Sequence, residues 1–304
     1  MPAHGLKIIK KTPLREIDPA LPLFVAEFST AAQAGDSAAA LALIALGPKS
    51  LPNSLNGQGA SALGLAAAGG HISTVEALLP YCDPLLADAH GFTPLMWAAS
   101  RGQTSCVNLL LPASNPLELD RRGMAAIEMA AWQSWAGVDC LAALMDASPF
   151  FEGSKSLVSW AAMCPDTAKL AFLLARGADP RSLDTDGFSA LHWAAKHGRD
   201  AAIDLLVAAA GPELALVEAP LAKTRLLPIE CALQNNKAST AIRLCRIAPQ
   251  TIARSLSFAK TCRHLLFEFD AFIQAATAEM ERSALLADSA SCQEPAASSK
   301  PLRI

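Results

Sequence analysis

Four glycines stand on one ruler. Gly59, Gly91 and Gly123 are 32 residues apart, and Gly187 lies two such steps further on. A fixed period in this range marks a stacked array of small units rather than one globular core. Each unit of such an array contacts only its neighbours, so a chain of 304 residues need not divide into two ordinary domains. The fold predicted from the period is a solenoid, and solenoids mostly present a surface to a partner and seldom carry chemistry.

The unit can be read residue by residue. Asp88-Ala-His-Gly91-Phe-Thr-Pro-Leu-Met-Trp-Ala-Ala99 runs into Arg101-Gly102 and then Val107, Leu110 and Leu111. Asp184-Thr-Asp-Gly187-Phe-Ser-Ala-Leu-His-Trp-Ala-Ala195 runs into His197-Gly198 and then Ile203, Leu206 and Val207. Asn56-Gly-Gln-Gly59-Ala-Ser-Ala-Leu-Gly-Leu-Ala-Ala67 leads to Gly70-His71, Val75, Leu78 and Leu79 in the same way. An Asp or Asn three residues before glycine suits a tight turn, because its side chain bonds nearby backbone while glycine accepts positive φ. Thr93-Pro94 predicts an N-cap followed by proline at the first helical position, and Ser61 and Ser189 hold the same cap position. The paired alanines allow a first helix to approach its neighbours closely, and the glycine after them ends it. Apolar residues at three- and four-residue spacing then predict a second helix packed along one face.

These motifs resemble the ankyrin repeat family. Its pattern of Asp-x-x-Gly-x-Thr-Pro-Leu-His-x-Ala-Ala-x-x-Gly-His, then Val-x-x-Leu-Leu and Gly-Ala-Asp, is present in pieces, the last in Leu173-Leu-Ala-Arg-Gly177-Ala178-Asp179. The resemblance implies an all-α fold of about seven helix-turn-helix units with hairpin loops. Their inner helices centre near Thr30, Leu65, Trp97, Met129, Trp160, Trp193 and Cys231. The units at 56–88, 89–120 and 185–216 follow the pattern closely and others depart from it. Ala125 replaces the capping residue of the fourth unit, and Ser134 stands where its inter-helix glycine belongs. In the fifth, Lys155 replaces the turn glycine and Pro165-Asp166 replaces Gly-His; the seventh has Asn235-Asn236-Lys237 in place of a glycine. The organisation expected is a lead-in over 1–20, repeats over 21–254, a C-terminal capping helix region over 255–286 and a disordered tail over 287–304. Phe258, Cys262, Leu265, Leu266, Phe269, Phe272, Ile273 and Met280 give the 255–286 stretch helical spacing. It reads as the cap an array needs, or as an appended effector helix for a second partner.

Composition narrows the function. A net charge of −3 gives no general pull toward nucleic acid or anionic membrane, and no run approaches the roughly 18 apolar residues of a membrane span. Residues 1–17 hold lysines but no long apolar region, so no secretory signal is expected. Eight cysteines are scattered without a C-x-x-C pair or a zinc-spaced Cys/His cluster, which reads as small buried hydrophobes in a reducing, cytoplasmic setting. No metal or cofactor is expected, and a monomer is expected. His192 and His71 fall at positions where the family uses imidazole structurally, and His192 and His197 are five residues apart rather than four. No glycine-rich phosphate loop or Gly-x-Ser-x-Gly is present, so the chain is not expected to be an enzyme.

The resemblance places partner contacts at the hairpin tips and the exposed face of the inner helices. Carried onto this chain, the candidates are His90, Phe92 and Arg101; Arg121, Arg122, Met124 and Trp132; and Asp186, Phe188, Lys196 and His197. Phe92 and Phe188 stand out, because the residue after the turn glycine is expected to face water; each is a contact residue or folds back on its own hairpin. Trp97, Trp160 and Trp193 share one register, read as packing positions before an aromatic ladder. Trp132 and Trp135 either fill an irregular turn or form a local pocket. The main reading is a cytoplasmic scaffold or adaptor that binds a protein through its concave face. Alternatives are a secreted bacterial effector aimed at a host protein, which the alanine-rich, lysine-poor composition suits, and an enzyme or small-molecule binder using Trp132 to Trp160.

Overall fold

The computed structural model describes residues 21–133, 136–148, 156–184, 186–211, 226–261 and 269–291. Among these residues there is no strand, only two isolated bridges, Leu55 with Ser61 and Leu183 with Ser189, that close the turns before two inner helices. Among the described residues, seven helix pairs follow one another along the chain. They are α1 (Leu21–Ala34) with α2 (Ser37–Leu46), α3 (Ala62–Gly69) with α4 (Ile72–Leu78), and α5 (Pro94–Ser100) with α6 (Thr104–Leu110). There follow α7 (Ala126–Trp132) with α8 (Val138–Ala147), α9 (Ser156–Met163) with α10 (Ala168–Ala175), α11 (Ala190–His197) with α12 (Asp200–Ala210), and α13 (Pro228–Gln234) with α14 (Ala238–Ile247). Two further helices, α15 (Ile252–Thr261) and α16 (Phe269–Ser291), follow the last pair. The chain divides into two compact units, one holding residues up to Ala98 with Ser105–Asn115, the other Ala99–Thr104 with residues from Pro116 on.

Within the first unit α1 packs on α3 and α2 on α4; within the second α7 packs on α9, α9 on α11 and α11 on α13. Inner helix thus stacks on inner helix. The alanine pairs make this close approach possible: Ala66, Ala67, Ala130, Ala131, Ala194 and Ala195 are all fully buried. Six of the seven outer helices contribute a pair three residues apart, Val75 and Leu78, Val107 and Leu110, Leu141 and Leu144, Leu170 and Leu173, Ile203 and Leu206, Ala241 and Leu244, while α2 buries only Ala40. Burying one such leucine is worth about 1.5–3 kcal/mol, so this repeated pair is the main apolar glue of the array.

The local signals act as the sequence predicts at most positions. Ser61 Oγ accepts from the Gly64 amide at 3.1 Å, and Thr93 Oγ1 accepts from Met96 at 3.3 Å. Ser189 sits at the cap of α11, but its hydroxyl pairs with His192 Nδ1 at 2.7 Å instead of a backbone amide. Gly59 needs its missing side chain twice over: φ is +78°, and a Cβ would lie 2.4 Å from that of Ala89, whose amide donates to the Gly59 carbonyl.

Most departures from the repeat are repaired by other residues. With Ala125 unable to cap α7, Glu128 Oε2 accepts the Ala125 amide at 2.9 Å; Glu230 does the same for Leu227 at 2.8 Å ahead of α13. That is half of a capping box, supplied from the third helical position. Asp166 Oδ1 accepts the Ala168 amide where Gly-His is missing in the fifth unit. Asn236 takes φ +55° in the seventh unit, the one described non-glycine with positive φ, and asparagine tolerates that region best.

The boundaries expected near the C-terminus shift. The change placed at Ser255 falls inside α15, which starts at Ile252, and Arg254 on that helix pairs with Glu230 at 2.9 Å. α16 continues to Ser291, across the boundary drawn at residue 287. Phe272 and Ala276 of α16 are buried, and the helix packs on α14 and α15. The readings placed on residues 1–20, Ser134, Trp135, Lys155, Thr185, Cys262, Leu265, Leu266 and 292–304 lie outside the described residues.

Candidate protein-binding surfaces

One small device recurs at the turns. The aspartate's Oδ1 accepts two backbone amides, from the residues two and four places on: His90 and Phe92 for Asp88, Arg122 and Met124 for Asp120, Asp186 and Phe188 for Asp184. Its Oδ2 remains for a longer side chain. Asp88 takes the Trp97 indole N–H at 3.0 Å and Asp184 that of Trp193 at 2.7 Å, in each case nine residues on. In the fourth unit Met129 occupies that register, and Arg122 Nε takes the second oxygen at 2.9 Å. In the third and sixth units the turn is therefore clasped to the inner helix, whereas the indole N–H of Trp160, in the same register of the fifth, is buried without a partner.

The clasp decides where Phe92 and Phe188 go. Each ring packs on its own clasped tryptophan, with centroids 5.2 Å apart for Phe92 and Trp97 and 4.9 Å for Phe188 and Trp193. Both phenylalanines are half-buried, although the residue after the turn glycine is expected to face water. They fold back onto their own unit and still leave part of each ring exposed.

The other candidates separate by exposure. His90, Arg101, Arg121, Arg122 and Asp186 are exposed. Met124 is buried, so it is removed as a contact residue; the turn directs it into the core beside Ala125 and Ala126. Trp132 is 36% exposed and lies 5.6 Å from Trp160, so these two rings meet at the fourth unit's irregular turn. Lys196 Nζ sits 4.6 Å above Trp193, and His197 stacks on the same ring at 6.1 Å. The structure thus gathers Phe188, Trp193, Lys196 and His197 into one group on the sixth unit, whereas His90, Phe92 and Trp97 belong to the third.

Several residues that the sequence reading passed over hold these surfaces in place. Lys169, 1% exposed, donates through Nζ to the carbonyls of Ala130 at 2.8 Å, Ala131 at 3.2 Å and Gln133. It occupies the register of Thr74, whose hydroxyl donates to the Gly35 carbonyl at 2.8 Å. Burial lowers its pKa, the three carbonyls being its hydrogen-bond partners. His71 and Arg199 share another register and staple units in the same direction, His71 Nε2 to the Gln33 carbonyl at 2.9 Å and Arg199 Nε to that of Met163 at 2.9 Å. His192 Nε2 reaches the Leu226 carbonyl at 3.2 Å, the structural use of imidazole expected for that position. The only sequence signal for Lys169 was a lysine at a register otherwise filled by short side chains such as Thr74, Cys106 and Thr240.

The six described cysteines are buried and unpaired. Burial pushes the thiols of Cys82, Cys231 and Cys245 up to about 12 and that of Cys140 to about 11, and raises those of Cys106 and Cys164, so none is a poised thiolate. Among the described residues no group of three or more His, Cys, Asp or Glu could hold a metal, and no helix is long and apolar enough to cross a membrane.

Stacked helix pairs, aspartate-glycine turns and alanine-lined inner helices together define a repeat protein. The chain carries ankyrin repeats. Family models for ankyrin repeats match it over residues 28–123, as three copies, and over residues 186–216. The crystal structure of the human ASB11 ankyrin repeat domain is similar, with a TM-score of 0.59 and 23% identity over 71% of this chain and 96% of that one; the likeness is one of fold. No curated protein matches the chain in sequence.

Proposed function

We propose that the chain is a cytoplasmic scaffold or adaptor that recognises a protein partner through its hairpin tips and inner-helix surfaces. The observation that carries this reading is the repeated Asp–Trp clasp, with half-buried Phe92 packed on Trp97 in one repeat and half-buried Phe188 packed on Trp193 under Lys196 in the other. Rigid, partly exposed aromatic rings next to arginine and lysine are the composition of binding hot spots. Preorganisation by the clasp reduces what a partner must spend on ordering them. Buried, unpaired cysteines suit a reducing compartment, and the cytoplasm is proposed on that ground.

Affinity capture from a lysate of the source cell tests the reading. Wild-type chain is compared with Phe92→Ala/Phe188→Ala and with Arg101→Glu/Lys196→Glu, whose side chains lie outside the core. A protein recovered by wild type and lost from both variants is the expected result. Equal recovery on all three baits would move the contact surface away from these inner helices. Because each phenylalanine packs on a tryptophan, the melting temperature of every bait is measured alongside.

A further inference from the structure

The sixth unit carries an electrostatic arrangement found at no other described turn. Lys196 and His197 end α11, Arg199 follows Gly198, and the aliphatic stem of Lys237, from the next unit's turn, lies close enough to Gly198 that a Cβ there would sit 3.0 Å from it. The imidazole of His197 is held below its ordinary pKa first by burial and then by the positive charges of Lys196, Arg199 and Lys237. Four basic side chains therefore share one half-buried patch.

Elsewhere in the same compact unit four arginines are each matched by a carboxylate, Arg122 with Asp120, Arg176 with Asp146, Arg243 with Asp204 and Arg254 with Glu230, while buried Lys169 is held by carbonyls. Lys196 and Lys237 have no such carboxylate among the described residues. Lys196 rests over aromatic rings instead, 4.6 Å from the Trp193 centroid and 6.0 Å from that of Phe188. The indole beneath is fixed by Asp184, so the platform is built before anything binds. Gathering like charges on a partly desolvated surface raises the energy of the free protein, and a negative ligand relieves that. The third unit supplies an internal control. It repeats the clasp and the Phe–Trp pair, but Ser100 and Gln103 stand in the registers of Lys196 and Arg199.

We propose that this basic-aromatic platform takes an acidic peptide segment of the partner, with carboxylates among Lys196, His197 and Lys237 and an adjoining apolar side chain against Trp193 and Phe188. The proposal rests on the protein-binding reading and names the chemistry of its ligand. A peptide is favoured over nucleic acid by the extent of the patch. It is confined to the end of one inner helix and the adjoining turn of the next unit, the hairpin tip beside it carries exposed Asp186, and the chain as a whole has a net charge of −3. A continuous phosphate backbone needs a longer basic stripe.

Random peptides displayed on phage are selected against the full chain and, in parallel, against Lys196→Glu/Lys237→Glu. The expected result is enrichment of Asp and Glu over the unselected library with wild type and loss of that enrichment with the charge-reversed chain. A fluorescein-labelled copy of an enriched peptide then binds wild type, Lys196→Arg/Lys237→Arg binds it comparably, and charge reversal weakens it about tenfold or more. Circular dichroism and melting of each variant show that the fold is kept, and Lys196→Gln/Lys237→Gln replaces the reversal if it is not. Peptides without acidic enrichment, affinity indifferent to reversal, or tighter binding of a labelled thymidine oligonucleotide would each overturn the proposal. A natural partner that binds the charge-reversed chain normally would overturn it too, while leaving the protein-binding reading in place.

Discussion

The fourth and sixth units solve the same folding problem with different residues. In the sixth, the helix ends are handled locally: Gly198 takes φ +69° and its amide bonds the Ala194 and Ala195 carbonyls, while Asp184 clasps Trp193 nine residues on. In the fourth, Ala125 cannot cap, Met129 cannot reach the aspartate, and α7 ends at Gln133 in extended conformation. The amide ahead of the helix is met by Glu128 and the carbonyls at its end by Lys169 from the following unit, while Arg122 takes the aspartate oxygen left over at the turn. The sixth unit therefore closes its inner-helix end with its own glycine, and the fourth borrows Lys169 from its neighbour. Buried helix ends must be satisfied in either case, because an orphaned backbone group costs as much as a lost hydrogen bond.

Breaking the borrowed cap is expected to do the most damage. Lys169→Met takes the ammonium donor from the Ala130, Ala131 and Gln133 carbonyls, of which Ala131 keeps Cys164 Sγ at 3.4 Å, and is expected to lower stability by about 3 kcal/mol, read by urea unfolding. Lys169→Thr, which copies Thr74, fares no better, since threonine is too short to span the same gap. Unchanged stability in both variants would mean that water or neighbouring backbone already serves these carbonyls.

Breaking the local cap costs less. Gly198→Ala forces a side chain into the left-handed region against the Lys237 stem, a loss of about 1–2 kcal/mol. Gln133→Gly, at the corresponding end of the fourth unit, brings no gain, because Gln133 has φ −77° and ψ 126°. A stabilising Gln133→Gly would show that the two helix ends are interchangeable after all. Removing the substitute N-cap is smaller again: Glu128→Ala is expected to cost about 1 kcal/mol, seen as faster amide exchange in the first turn of α7.

The smallest effect is a pH dependence confined to the sixth unit. His197 has its pKa lowered in the folded state, so the unfolded chain binds more protons below the ordinary histidine value of 6.5. Stability therefore rises with pH across that range and falls on acidification. His197→Gln should flatten the slope of melting temperature between mildly acidic and neutral buffer, and an equal slope in both proteins would remove His197 as its source.

What the sequence determined is what adjacent residues decide between themselves. Turn aspartate, positive-φ glycine, capping Ser61 or Thr93 and the paired alanines all act within a few residues, so their order along the chain is enough to place seven helix pairs. The half-exposed position of Phe188 needed one step more, because its partner Trp193 is set by helix geometry and by a hydrogen bond from Asp184. Tertiary structure alone decided the rest. Lys169 reaches back 36 to 39 residues to the end of α7, Arg199 reaches 36 residues to Met163, and Arg254 joins α15 to Glu230 across 24. A charged side chain at such a distance has no local periodicity to betray it. Its place is fixed only when stacking brings an unsatisfied helix end within reach of its nitrogen, and that is also why Lys196 and Lys237, far apart in sequence, come to share one unpaired patch.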